Sequence, residues 1–379
     1  MRTTITSIAL LIGNRASAQP ADEDKAKITV GGYFEEYYQL DAQDPSNRLT
    51  NLRGFDNRSR TFTLSNVALE IKGDIGPATG HIIVQWGHTP STYYLAEPVS
   101  PGTPSVDTSD GELWKYVQTA TVSAKKSDFV VEAGLFPSPI GPEVFAVKDN
   151  WNWSRSNLFF GLPFYHTGAT VSHPLGGEWI GKLHVYNGWN SVVDNNGTPS
   201  VAVSAGYNVN STFAQVLYFG GIERPDGSPE GQPWRNLFDA YVQFPVNEVV
   251  SLGAQVDAGF EPNRIGTSWW AAGALYAKLA VTDELYAAVR GDYFREHRAE
   301  NGTLVASPIF WPVEWVAEGT ATLAYQPIDH ASIRLEYRHD HAADDAYFGG
   351  DVVIVPATLT AIPNRTMQDT VTLGVTAWF

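Results

Sequence analysis

The chain has 379 residues, with 25 Lys and Arg against 41 Asp and Glu, a formal net charge of −16. An acidic chain without sustained basic patches lacks the phosphate contacts on which nucleic-acid affinity rests. It contains no cysteine, which excludes disulfides, thiolate nucleophiles and cysteine-held zinc.

Residues 1–18 read as a signal peptide. Arg2 supplies a positive start, Ile5 to Gly13 a short apolar run, and Ala16, Ser17 and Ala18 the small residues of a cleavage site. The apolar run is far shorter than the ~20 residues of a spanning helix. Cleavage before Gln19 leaves 361 residues and, with Arg2 and Arg15 gone, a net charge of −18. Mean hydropathy is −0.18, and hydropathy alone would class the rest as soluble.

Periodicity argues otherwise. From Val249 to Phe260, Val250, Leu252, Ala254, Val256, Ala258 and Phe260 alternate with small or polar residues, a period of two. Ile333, Leu335 and Tyr337 oppose Arg334, Glu336 and Arg338 in the same way, and the chain ends on Val371, Leu373, Val375, Ala377 and Phe379. In chain order such segments fall at 27–41, 61–73, 80–88, 113–124, 129–136, 165–175, 179–189 and 199–207. The second half adds 212–222, 236–245, 249–260, 269–281, 284–295, 316–326, 331–341 and 367–379. This predicts about 16 strands, within a range of roughly 14–18, each near the ~10 residues of a tilted membrane strand.

The connections alternate between short and long. Lys125 to Asp128, Gly176 to Glu178, Asn208 to Ser211, Asn247 to Glu248, Thr282 to Asp283 and Pro327 to His330 are tight turns, whereas 42–60, 89–112, 137–164, 223–235, 296–315 and 342–366 are long. Short periplasmic turns and long extracellular loops distinguish outer-membrane barrels from soluble sandwiches. In hydrocarbon every backbone N–H and C=O must be paired, so the sheet must close. Residues 19–379 are therefore read as one all-β domain, a closed antiparallel transmembrane β-barrel. Trp86, Trp114, Trp179, Trp189, Trp269, Trp270 and Trp378 lie near strand ends, as an interfacial girdle requires.

No nucleophile elbow, phosphate loop, H-E-x-x-H or dinucleotide motif is present, and the reading is not an enzyme and calls for no cofactor. His339, Asp340 and His341, followed by Asp344 and Asp345, read as the polar end of a strand rather than as a metal site. Period-two phasing points Glu35, Glu70, Glu132, Asp239, Asp257, Asp292, Glu318 and Glu336 inward, with Lys182, Lys278, Arg290, Arg334 and Arg338. A packed apolar lumen could not hold these charges, and about sixteen strands enclose too wide a space for side chains alone to fill, so the expected interior is a wet pore.

The third external loop, 137–164, is the least solvent-like. Phe145, Trp151, Trp153, Leu158, Phe159, Phe160 and Phe164 interleave with Glu143, Lys148, Asp149 and Arg155. Folding it inward would bury the aromatics and turn the charges to the channel, which places the constriction there. A competing reading is a sugar- or anion-specific channel with Trp151, Trp153, Phe159 and Phe160 as a stacking rail.

Three stretches carry a resemblance: Ala133 to Glu143 (AGLFPSPIGPE), Asn150 to Gly168 (NWNWSRSNLFFGLPFYHTG) and Tyr186 to Asn196 (YNGWNSVVDNN). In order and spacing they resemble the OmpL-like β-barrel porins of Gram-negative outer membranes. The resemblance implies an outer-membrane porin and carries over no binding residues. The expected activity is passive diffusion of ions and small polar solutes with weak cation preference. Expected partners are membrane lipid and lipopolysaccharide, those solutes, and the barrel-assembly machinery, which would read Phe379 as its signal. Monomer and homo-oligomer are both left open.

Overall fold

The computed structural model describes residues 26–93 and 114–379; the signal-peptide reading at 1–18 and part of the second external loop lie outside them. Strands run β1 (Lys27–Asp41), β2 (Phe62–Ile75), β3 (Ala78–Trp86), β4 (Val117–Lys126), β5 (Phe129–Pro137), β6 (Tyr165–Gly176), β7 (Trp179–Tyr186) and β8 (Ser200–Val209). They continue as β9 (Thr212–Ile222), β10 (Trp234–Pro245), β11 (Val250–Pro262), β12 (Thr267–Ala280) and β13 (Leu285–His297). After a two-residue pair β14 (Glu300–Asn301) and β15 (Leu304–Val305) come β16 (Trp315–Ile328) and β17 (Ala331–Ala342). A second small pair, β18 (Ile354–Val355) and β19 (Thr360–Ala361), precedes the closing strand β20 (Met367–Trp378).

Sixteen of these form one closed barrel in the order β1 to β13, β16, β17, β20; the two small pairs lie in external loops. Neighbours are antiparallel, and closure runs from Tyr33 opposite Trp378 to Asp41 opposite Thr370. No edge is left to meet lipid. The loop alternation holds except at one place: the connection between β11 and β12 is only residues 263–266, where Asn263 folds the chain back through bonds to Ile265 and Gly266.

The alternation sorts the side chains as expected. Val256, Leu275, Val289, Leu335 and Leu373 are exposed on the outer wall, while Asp257, Arg290, Glu336 and Thr372 point inward. Gly134 interrupts it at φ 137°, and a Cβ there would stand 2.1 Å from the Ala120 carbonyl oxygen. Beyond this kink Leu135 turns inward and joins a buried phenylalanine cluster. The tryptophan girdle is only partly formed. Trp86, Trp179 and Trp269 face outward, but Trp189 and Trp270 are buried inside, and Trp114 packs against an internal cluster.

Candidate functional site: the constricted lumen

The loop 138–164 leaves β5, crosses the lumen and lies along the inner wall from β9 to β1. At its start, Gln215 of β9 donates to the Pro139 carbonyl at 2.7 Å. Gly141, at φ 79°, lies so close to β11 that a Cβ would meet Gln255 Nε2 at 2.9 Å. Farther on, Val147 N–H donates to Glu35 of β1 at 2.6 Å. The 3-10 turn Val147–Asp149 and the helical turn Asn157–Phe160 are its only regular pieces, the latter capped by Ser156, whose hydroxyl accepts from Phe159 N–H.

Such a loop has no neighbouring strand to satisfy its backbone, and buried backbone groups must be paired. The charged wall supplies the partners. Glu336 accepts from Trp153 N–H at 2.6 Å and Ser154 N–H at 2.9 Å, and Asp292 accepts from Asn157 N–H at 2.7 Å. The cations take the carbonyls: Arg290 donates to Ser154 O at 2.7 Å, Arg334 to Val147 O, and Arg338 to Arg155 O. The clamps also pair with one another, Arg290 with Glu318 and with Glu143 at 2.8 Å each, and Arg338 with Asp340 at 2.6 Å. Arg53 of the first external loop completes the network through Asp56 and Asp340.

This corrects the wet-wall expectation for half of the barrel. Glu35, Asp239, Asp257, Arg290, Asp292, Glu318, Arg334, Glu336 and Arg338 do point inward, but all are buried, most of them in contact with the loop. Asp239 and Asp257 stand directly opposite on β10 and β11, with Gln255 Nε2 donating to both, at 3.0 and 3.3 Å. Glu70, Glu132, Lys182 and Lys278 remain half-buried. Within the loop, Lys148 and Asp149 pair at 2.8 Å and are half-buried, whereas Arg155 turns to the loop's own carbonyls of Trp153 and Val144 and Glu143 to Arg290. Those last two therefore do not face the channel.

The aromatic residues follow the same logic. Phe145, Phe159, Phe160 and Phe164 surround Phe55 of the first loop at 5.6 to 6.0 Å between ring centres. Leu158 and Leu162 pack with Trp270, Phe294, Trp311 and Tyr347, so the external end of this half is filled by an apolar core. Trp153 is 1% exposed and Phe159 8%. Only Trp151 and Phe160 of the four-residue rail are partly accessible, and no rail forms.

On the opposite wall, β2 to β8, the inward residues of the external half are also buried, Asn66, Gln85, Gln118, Thr170, His184 and Ser204 among them, and the half-buried charges lie toward the periplasmic turns. There Glu70 and His81 pair at 2.8 Å, with Lys72 and Asp74 on the same face of β2. Lys148 and Asp149 lie close enough to act on Glu70 electrostatically. Burial raises the Asp149 carboxyl above its usual range, which Lys148 opposes. Sequence phasing did not single out Lys72, Asp74 or His81, although each follows from the register that fixes Glu70. His339 and His341 face the outer wall, with Asp369 accepting from His339 at 2.8 Å, while Asp340 points inward; among the described residues no group converges as metal ligands.

A closed 16-stranded barrel with a long loop laid inside it is the architecture of outer-membrane porin channels. Residues 27–373 match the family described as "Putative beta-barrel porin-2, OmpL-like", and the chain belongs to that family. Similar solved structures are the anion-selective porin of Comamonas acidovorans (TM-score 0.58, 11% identity, covering 94% of this chain and 100% of that one) and OmpT of Vibrio cholerae (0.57, 10%, 94% and 98%). The outer-membrane channel DcaP of Acinetobacter baumannii is comparable (TM-score 0.57, 10% identity, 93% and 97%). No curated protein matches in sequence.

Proposed function

We propose that the protein is a passive diffusion channel of the outer membrane, a porin rather than an enzyme, passing ions and small polar solutes beside a fixed constriction loop. The observation that carries this reading is the division of the inner wall. The strands from β11 round to β1 are spent on clamping the loop, whereas the periplasmic half of β2 to β7 presents half-buried charge that does not hold it: Glu70, Asp74, Glu132, Lys72 and Lys182, with Lys148 and Asp149 near Glu70. Such a strip is nearly balanced in sign, so cation preference is weak and arises from the acidic chain as a whole, at a net −16.

The test is swelling of liposomes carrying the refolded protein, in sugars and amino acids of increasing mass. Rates should fall smoothly with solute size and rise linearly with concentration. Saturation by one solute would favour a substrate-specific channel instead, and no uptake through folded protein would contradict the proposal. The exposed terminal Phe379, bonded to Gly32, is the group we assign to recognition by the assembly machinery.

A further inference from the structure

We propose that the outer wall carries a phospholipid site, a groove across β5 to β11 that holds one acyl chain of the periplasmic leaflet. A cavity of about 800 Å³ lies against this part of the wall, within the roughly 300–1,000 Å³ of small-molecule sites. The strand register shows how it is made. One outward row passes through His173, Gly181, Ala205, Val216, Ala240 and Val256, each directly opposite the next. The adjoining row, one outward step toward the external side, is taller: Leu183, Val203, Tyr218 and Phe238. Gly181, Ala205 and Ala240 thus form the low points of a floor, with the Leu175 side chain lying over Gly181 and Val216 standing between the alanines, and the large residues form a bank.

The groove's course matches one leaflet. Its floor row starts beside Phe129, the first residue of β5, and ends at Val256, six residues above the start of β11 at Val250, with Ala258 next to it in the bank row. At ~3.3 Å per residue on strands tilted by about 40°, six residues rise about 15 Å, half of a ~30 Å hydrocarbon core. An extended chain anchored at the periplasmic surface would therefore end near the bilayer centre.

The mouth suits a phosphate. The Phe129 and His173 rings meet at 4.4 Å, and Lys126, opposite Phe129, is exposed with Lys125; Asp128 shares the turn and Glu178 lies on the next one. Nearly balanced charge speaks for a local contact between Lys126 and a lipid phosphate rather than a field effect. A second copy of the chain fits less well, because a floor of alanines and glycine needs a matching ridge. The outer rows are otherwise a single layer of side chains standing off a barrel.

The proposal rests on the outer-membrane reading but not on permeability, which conductance measures separately. The test is native mass spectrometry of the refolded barrel with added phosphatidylglycerol and, in a second arm, phosphatidylethanolamine. Wild type should retain one lipid of either kind. Filling the floor with Ala205→Leu and Ala240→Leu should reduce retention about tenfold, a loss of one acyl-chain contact. Lys126→Ala should reduce it about fivefold. Heat-modifiable migration certifies that each variant is folded. Unchanged retention in a folded Ala205→Leu/Ala240→Leu variant would overturn the assignment, as would a folded wild type that retains no lipid. A wild-type dimer converted to monomer by the same pair of substitutions would give the groove to a second copy instead.

Discussion

Glu336 is the sharpest place to test how the constriction loop is held. Its carboxylate, buried on β17, accepts from Trp153 N–H, Ser154 N–H and the Thr322 hydroxyl at 2.6 to 2.9 Å. Replacing it with Ala strands two loop N–H groups where neither water nor a strand reaches them. At about 1–3 kcal/mol for each orphaned donor, the docked loop should lose roughly 2–6 kcal/mol, which shifts its docking equilibrium by about 30-fold to 20,000-fold. Glu336→Gln keeps one acceptor oxygen but points an amide N–H₂ at the second donor, so its effect should be about half as large in free energy. Limited proteolysis within the loop, read beside single-channel recordings, separates a released loop from an unfolded barrel. Cleavage should accelerate, and conductance should rise or flicker, in the order wild type, Gln, Ala. Identical cleavage and identical traces from a folded Ala variant would refute the clamp.

Other outcomes follow from the same geometry. Removing residues 145–160 should enlarge the single-channel conductance; no change in a correctly folded deletion would place the narrow part elsewhere. Lys148→Glu should raise cation over anion permeability, more at 0.1 M than at 1 M salt, because the screening length falls from ~10 to ~3 Å; equal ratios at both would argue that Lys148 does not face the ion path. Deleting Phe379, exposed at the end of the closing strand, should lower the yield of assembled barrel more than the conductance of what assembles, and normal abundance would sink the signal assigned to it. Sequencing the membrane-extracted protein should read from Gln19, whereas an intact Met1 would remove the argument for export.

The strands were legible because lipid and lumen impose opposite demands on alternate residues, and that demand is local. β1 and β9 were read to the residue, and the sixteenfold count followed. The inward direction of the charges was legible for the same reason. Their environment was not, since it depends on where a distant loop comes to rest: Glu35 meets Val147, and Arg334 reaches the same residue from the far end of the chain. A buried clamp and a wet pore wall have the same period-two signature. Composition pointed to an inward fold for the loop, with the barrel rim or a neighbouring subunit as the competing shelter for its aromatics. It could not show that Arg155 turns back on its own carbonyls, or that the glycine kink at Gly134 carries Leu135 inside. The short connection at 263–266 was hidden because strand ends near polar residues give no sharp boundary.

The most direct test of a water-filled passage beside a clamped loop is the single-channel conductance of the refolded wild-type protein in a planar bilayer across a range of potassium chloride concentrations. Discrete steps proportional to bulk salt conductivity, with a cation-to-anion permeability ratio slightly above unity, are predicted. A barrel that inserts and is folded yet conducts no ions would contradict the account, and would mean that the buried charge network seals the lumen completely.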